Sequence, residues 1–125
     1  MLSTRRATSV QRMPSTPEQP AFDVTVQREE TRAVVVAMGE LDVAVADELD
    51  VAVRRQLPET PVLLDLAGLS FMDSSGIRLL DALLREADLH GWRLTVRPLL
   101  QRPVRRLLTI TGMLDMVPFD GGDDA

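Results

Sequence analysis

Apolar residues along the chain recur at two spacings, which predict where strands and helices lie. Residues 22–28 alternate apolar and polar side chains, as in a strand with one buried face. Residues 33–38 and 62–66 are short, mostly apolar runs, a pattern typical of strands inside a sheet. Residues 92–96 alternate again and predict a further core strand. We expect the two apolar runs to end at Gly39 and at Ala67 and Gly68.

Three other stretches repeat apolar residues every three or four positions, the spacing of an amphipathic helix. The first lies between Asp42, which is suited to capping, and Pro58, which closes the helix. The second runs from about Ser74 to Gly91, a glycine in the usual C-terminal position. The third covers residues 103–112, with proline in the first turn and glycine at the end.

The predicted order is therefore strand, strand, helix, strand, helix, strand, helix, and residues 113–119 can add a short edge strand. Strands joined through helices pair in parallel with right-handed crossovers, whereas the opening two strands pair antiparallel. The sequence predicts an α/β fold: a single domain in which helices pack against a mixed β-sheet.

Both ends of the chain lack this patterning. Residues 1–20 hold three prolines among Ser, Thr, Gln and Arg, which predicts a disordered N-terminal tail. Residues 120–125 are rich in Gly and Asp and predict a flexible C-terminal tail. Residues 21–119 remain as one domain, long enough to form a core without cross-links.

Composition argues against several classes of function. The absence of cysteine rules out disulfides and thiolate metal sites and suits a reducing cytoplasm. A net charge of −5 and few aromatic residues argue against nucleic acid binding. The apolar runs are too short to cross a bilayer, and no signal-peptide stretch follows Arg5 and Arg6. We expect a cytoplasmic protein without membrane insertion.

The segment between the second apolar run and the second helix concentrates polar groups. Residues 69–77 read Leu-Ser-Phe-Met-Asp-Ser-Ser-Gly-Ile. Asp73, Ser74 and Ser75 can accept hydrogen bonds from the unpaired N–H groups of the coming helix. Gly76 leaves the first turn without a side chain, which would let a partner approach.

Two interpretations of this segment stay open at this point. It is either a helix cap and nothing more, or the site of a phosphate, which free N–H groups and the helix dipole both favour. Phosphorylation adds about −1.5 to −2 charges. Asp73 would make the modified site strongly negative, as would Asp42 if the two loops meet at one end of the sheet.

Residues 39–42 (Gly-Glu-Leu-Asp), together with residues 70–77, resemble the STAS-domain anti-sigma factor antagonists. The resemblance runs from about residue 22 to 119 and includes the late helix followed by Thr111 and Gly112. It implies that Ser74 is phosphorylated by a partner anti-sigma factor that is itself a serine kinase, and that Asp42 lies close by. The unmodified antagonist would bind the anti-sigma factor and free the sigma factor, and a serine phosphatase would reset it.

On this resemblance, the partner-binding surface comprises Asp42, Asp73, Ser75, Gly76, Ile77 and Arg78. Two positions depart from the family pattern, which often has a small hydroxyl residue at Val45 and a glycine at Arg78. Both flank the implied contact surface, so they leave the identity of the kinase open. The alternative function is a STAS-type scaffold or accessory subunit of a signalling complex or membrane transporter, without a phosphorylation switch.

Enzymatic and metal-binding interpretations find little support. His90 is the only histidine, and sixteen helical residues at about 1.5 Å each would place it roughly 24 Å from Ser74, too far for a catalytic pair. One histidine without cysteine makes a zinc site improbable. The carboxylates of Glu40, Asp42 and Asp47 fit helix capping better than a cation. We therefore expect no catalytic residues, no metal and no cofactor.

A group of basic residues contrasts with the acidic sequence before it. It is either a solvated surface or a second docking patch for an acidic partner, and the sequence leaves both open. Its members are Arg93, Arg97, Arg102, Arg105 and Arg106.

Overall fold

The computed structural model describes residues 6–7 and 22–121, which form one five-stranded sheet with three α-helices packed against it. The strands are β1 (Arg6–Ala7), β2 (Asp23–Arg28), β3 (Ala33–Leu41), β4 (Val62–Met72) and β5 (Leu94–Val96). The helices are α1 (Ala46–Arg54), α2 (Ser74–His90) and α3 (Arg102–Ile110), followed by a 3-10 turn at Met113–Met116.

The strands lie side by side in chain order. β1 with β2 and β2 with β3 are antiparallel pairs, whereas β3, β4 and β5 run parallel to one another. Because α1 and α2 connect the parallel strands, the carboxyl ends of β3, β4 and β5 meet at one edge of the sheet, here called the carboxyl edge. The predicted α/β class, mixed sheet and order of elements are confirmed.

One apolar core joins the helices to the sheet. Fully burying a side chain of this type stabilises the fold by about 1.5–3 kcal/mol. The large side chains that are almost completely buried in this core are Val24, Val35, Leu41, Leu49, Val53, Leu64, Leu66, Leu69, Leu80, Leu83 and Leu108.

The ends of α2 lie where the sequence predicts them. The helix begins at Ser74 and ends at His90, and Gly91 follows in the left-handed conformation with φ 75°. The N–H groups of Gly91 and Trp92 both donate to the carbonyl of Ala87, which satisfies the end of the helix.

Strands β3 and β4 are longer than predicted, because the glycines expected to end them lie within them. β3 passes Gly39, whose φ of 100° accommodates an irregularity in the β3–β4 register. β4 passes Gly68, where a Cβ atom would lie 2.7 Å from Cγ of Met38. Each glycine therefore meets a requirement of the β3–β4 pairing, which is an unusual φ at Gly39 and a close approach at Gly68.

Two further predictions differ from the structure. The first helix begins at Ala46, because the carbonyl of Asp42 accepts from the N–H groups of Val45 and Ala46 in a turn that precedes it. Residues 113–119 form the 3-10 turn rather than an edge strand, although Phe119 makes an isolated parallel bridge with Val96.

The tails predicted for residues 1–20 and 120–125 lie largely outside the described residues. Within the first, Arg6 and Ala7 pair with Val26 and Thr25 of β2, a contact that the predicted tail does not include. The domain limits at residues 21 and 119 stay predictions. In the described part of the chain, no helix has the length and apolar character needed to span a membrane.

Candidate functional site

Two acidic residues leave neighbouring parallel strands side by side at the carboxyl edge. Leu41 and Met72 are register partners at the ends of β3 and β4, and Asp42 and Asp73 follow them directly. The N–H of Asp73 donates to the carbonyl of Leu41 at 3.2 Å, which ties the two loops together. The loops therefore meet at one end of the sheet, the condition under which Asp42 adds to the charge around Ser74.

Asp73 caps α2. Its Oδ1 accepts from the N–H of Ser75 at 2.9 Å and also from the hydroxyl of Ser75. The bond from the Ser75 hydroxyl is the main reason that the pKa of the Asp73 carboxyl lies below its ordinary value, and bonds from backbone N–H groups add to it. Asp73 is therefore ionised at neutral pH, beside the positive end of the helix dipole.

The two serines at the start of α2 differ in accessibility. Ser74 is exposed, and within the described residues its hydroxyl has no hydrogen-bond partner. Ser75 is half-buried, and its hydroxyl is bonded to Asp73. Of the two, Ser74 presents the free hydroxyl to solvent.

Gly76 has a packing role that the sequence did not reveal. It is buried, and a Cβ atom there would lie 2.4 Å from Cγ of Met72 and 3.1 Å from Cδ2 of Leu41. Its missing side chain lets α2 approach the ends of β3 and β4, instead of opening the first turn to a partner as expected.

The other two residues expected at this surface lie one turn into α2. Ile77 is half-buried and packs against the core. Arg78 is exposed and makes no ion pair within the described residues.

Asp42 is half-buried, and its Oδ1 accepts from the N–H of Ala44 at 3.0 Å. The carboxyl edge thus brings together all the predicted residues, with Gly76 turned to the interior.

Sequence reasoning missed two exposed apolar residues beside these polar ones. Val43, next to Asp42, is 77% exposed, and Phe71, two residues before Asp73, is 43% exposed. Phe71 lies on β4 opposite Glu40 of β3. The exposure of Phe71 would have followed from a β4 strand predicted to reach Met72. Neighbouring residues of a strand point to opposite faces of the sheet, and Met72 is buried. These two side chains give the carboxyl edge an apolar component.

Other sequence candidates lie away from this edge. His90 ends the 17-residue helix that Ser74 begins, and its ring stacks on Trp92 at 4.9 Å between centroids. Glu40, Asp42 and Asp47 do not form a ligand set; among the described residues, no three acidic, His or Cys side chains converge for a metal ion.

The arginines of the basic group differ in their surroundings. Arg97 pairs with Asp65 at 3.2 Å between Nε and Oδ2. Arg102, Arg105 and Arg106 are exposed on α3, where they line a shallow depression with Thr109.

Comparison with known proteins identifies the family. A family model described as the STAS domain matches residues 23–121. The unphosphorylated form of SpoIIAA, an anti-sigma factor antagonist, superposes with a TM-score of 0.60 at 23% identity, over 74% of this chain and 82% of that chain. An anti-sigma factor antagonist from Mycobacterium paratuberculosis superposes with a TM-score of 0.66 at 23% identity, over 89% of this chain and 94% of that chain.

No curated protein matches the chain significantly. The two solved structures, at this level of identity, show a common fold. Since the family model covers most of the sequence, the chain belongs to the STAS domain family.

Proposed function

We propose that this protein is an anti-sigma factor antagonist switched by phosphorylation of Ser74. Unmodified, it binds an anti-sigma factor that is a serine kinase, and the sigma factor is released. The kinase phosphorylates Ser74 and the complex separates, and a serine phosphatase restores the binding form. The protein works in the cytoplasm without a cofactor, catalyses no reaction and does not contact nucleic acid. The observation that carries this proposal is the exposed Ser74 hydroxyl at the start of α2, which has no hydrogen-bond partner within the described residues.

The position of Ser74 suits a modification that changes the surface and spares the fold. Ser74 is the first residue of α2 and lies at the positive end of the helix dipole, where Asp73 already accepts from the N–H groups of Ser75, Gly76 and Ile77. A phosphate on Ser74 is favoured by the dipole and leaves these cap bonds in place, so α2 stays folded.

The surroundings of Ser74 explain how such a phosphate would weaken binding. Asp73 is already ionised, and Asp42 lies at the end of the neighbouring strand. Adding about −1.5 to −2 charges makes this surface strongly negative. Val43 and Phe71 are exposed apolar side chains at the same edge. A partner that buries them would also have to remove water from a dianion, which is costly.

The same geometry favours Ser74 as a residue that a kinase phosphorylates, rather than as a catalytic nucleophile of this protein. A serine nucleophile needs a base within hydrogen-bond reach. The sole histidine of the chain is His90, at the other end of α2. Asp73 is held by the cap bonds to Ser75. These observations support a kinase substrate.

The test is to recover the partner and follow the modification. Unmodified protein is used as bait in an extract of its own cells, and captured kinases are then incubated with it and ATP. We expect an anti-sigma factor kinase that modifies wild-type protein at Ser74, found by mass spectrometry, and that leaves Ser74→Ala unmodified. A partner that binds without ever modifying Ser74 would contradict the switch and favour the scaffold or accessory-subunit function.

A further inference from the structure

We propose that Arg78 is the internal partner of the phosphate on Ser74, and that phosphorylation withdraws this arginine from the partner-binding surface. The inference rests on the proposed function, because it specifies how the same site is regulated. Phosphorylation would then change two side chains of the surface, the hydroxyl that carries the phosphate and the guanidinium that binds it.

The spacing of the two residues on α2 supports this pairing. Ser74 is the first residue of the helix and Arg78 follows four positions later. Residues four apart lie on the same side of a helix, with Cβ atoms about 5–6 Å apart. Both residues are exposed, so both lie on the solvent face of α2. A phosphate adds reach to the short serine side chain, and the long arginine side chain extends toward the N-terminus of the helix.

Arg78 is also available, unlike the other arginines around α2. Arg85, the second arginine of the helix, donates to Asp81 at 3.0 Å. Arg54 of α1 binds Asp50 of its own helix and Glu86 of α2. Within the described residues, Arg78 makes no ion pair. The guanidinium nearest to Ser74 along the helix is therefore not engaged by any charged group that the structure describes.

The acidic residues of the carboxyl edge form no ion pair with Arg78 before Ser74 is phosphorylated, as far as the structure describes the chain. The Asp73 carboxylate is held by two bonds from Ser75. The Asp42 carboxylate accepts from the N–H of Ala44. A phosphate dianion carries more charge than either carboxylate, and its oxygens match the planar fork of a guanidinium. Phosphorylated Ser74 thus provides the strongest acceptor within reach.

The pairing gives the switch a second action. In the unmodified protein, Arg78 is free to donate to acidic or carbonyl groups of the partner. Once Ser74 is phosphorylated, the Arg78 guanidinium donates to the phosphate. The partner groups that Arg78 contacted then lose their donor. A buried acceptor left without a donor is costly, so this loss adds to the repulsion by the phosphate itself.

The experiment measures the ionisation of the phosphate by phosphorus NMR. Phosphoserine is incorporated at position 74 during translation, so that no kinase is needed, and the phosphorus chemical shift is followed against pH. Arg78→Gln removes the guanidinium charge. Arg85→Gln is the matched control, because it removes an equal charge from the same helix face at a position eleven residues, or about 16 Å, from Ser74.

Because a nearby cation favours the dianion, the second pKa of the phosphate should be lower in the wild-type protein than in Arg78→Gln. We expect a difference of roughly 0.2–0.4 units, which diminishes in high salt. Arg85→Gln should titrate like wild type. Equal phosphate pKa values in wild type and Arg78→Gln would overturn the pairing, whatever the partner is. A clear difference without any recovered kinase would retain the pairing and refute the proposed function instead.

Discussion

The hydroxyl of Ser75 donates a hydrogen bond to the carboxylate of Asp73, whereas the hydroxyl of the adjacent Ser74 has no partner within the described residues. This bond separates two serines that look equivalent in the sequence. It holds Ser75 in the cap of α2 and leaves Ser74 as the accessible hydroxyl at the carboxyl edge.

Removing the cap should therefore change which serine is modified. Asp73→Ala should destabilise the fold by about 1 kcal/mol, because the cap bond to the N–H of Ser75 is lost. The freed Ser75 hydroxyl should then receive part of the phosphate when the protein is incubated with its kinase and ATP. Phosphosite mapping by mass spectrometry measures this change. Ser75→Ala is the control and should still be modified at Ser74; modification of Asp73→Ala at Ser74 alone would show that the cap does not select the site.

The ionised Asp73 carboxylate should also make stability depend on pH in the acid range. Its pKa is lower in the folded protein than in the unfolded chain, mainly because Ser75 donates to the charged form. The ionised carboxylate therefore stabilises the fold fully above the ordinary carboxyl pKa of about 4. This stabilisation is lost as pH falls from there through the lower pKa of the folded state. Urea denaturation from pH 7 to 3 should show wild type and Asp73→Asn converging at the acid end. A stability difference that stays constant down to pH 3 would contradict this assignment.

The close approach of α2 to the sheet predicts that Gly76 tolerates no side chain. Gly76→Ala places a methyl group against Met72 and Leu41, both of them buried, and should cost roughly 1–3 kcal/mol of stability despite the better helix propensity of alanine. Urea denaturation measures the loss. Met72→Ala in the same chain should relieve the clash. The double variant should therefore lose less free energy of unfolding than the two single variants lose together. Simple additivity would show that Met72 is not the obstacle.

The apolar side chains at the carboxyl edge should contribute to partner binding without contributing to the fold. Val43→Ser should leave the free energy of unfolding nearly unchanged, since Val43 is 77% exposed, but weaken binding to the recovered kinase. Isothermal titration calorimetry measures the affinity. Ile110→Ser is the matched control, because Ile110 is 70% exposed on α3. If the two variants bind equally well, Val43 lies outside the interface.

Much of this fold follows from the sequence, because the signals for its elements are local. The start of α2 is marked by Asp73 as a capping residue, and its end by Gly91 in the left-handed conformation. The alternation of β2 and the apolar runs of β3 and β4 likewise report burial on one or both faces. The order of these elements then restricts the topology to parallel strands joined through helices.

Three of the failures occur where a glycine answers a tertiary requirement. Gly39 and Gly68 look like strand ends, but the first takes up a register irregularity and the second makes room for Met38. Gly76 looks like an opening in the first turn of α2, but it packs against Met72. Each depends on a neighbour distant in sequence or on the register between strands, and local patterns do not report these. The exposure of Phe71 was missed for the same reason, since it follows from the length of β4.

The central claim is that charge on Ser74 controls partner binding. It is tested most directly by calorimetric titration of the partner kinase with Ser74→Ala, Ser74→Asp, and the unmodified and phosphorylated forms of wild type. Ser74→Ala should bind as tightly as unmodified wild type, whether or not ATP is present, and should keep the stability of wild type, because Asp73 and not Ser74 caps α2. Ser74→Asp should fold equally well, because the helix dipole tolerates its charge, and should bind more weakly. Its effect should be smaller than that of true phosphate, since it carries about one negative charge instead of nearly two. Equal affinity of Ser74→Ala, Ser74→Asp and phosphorylated wild type for the kinase would contradict the account.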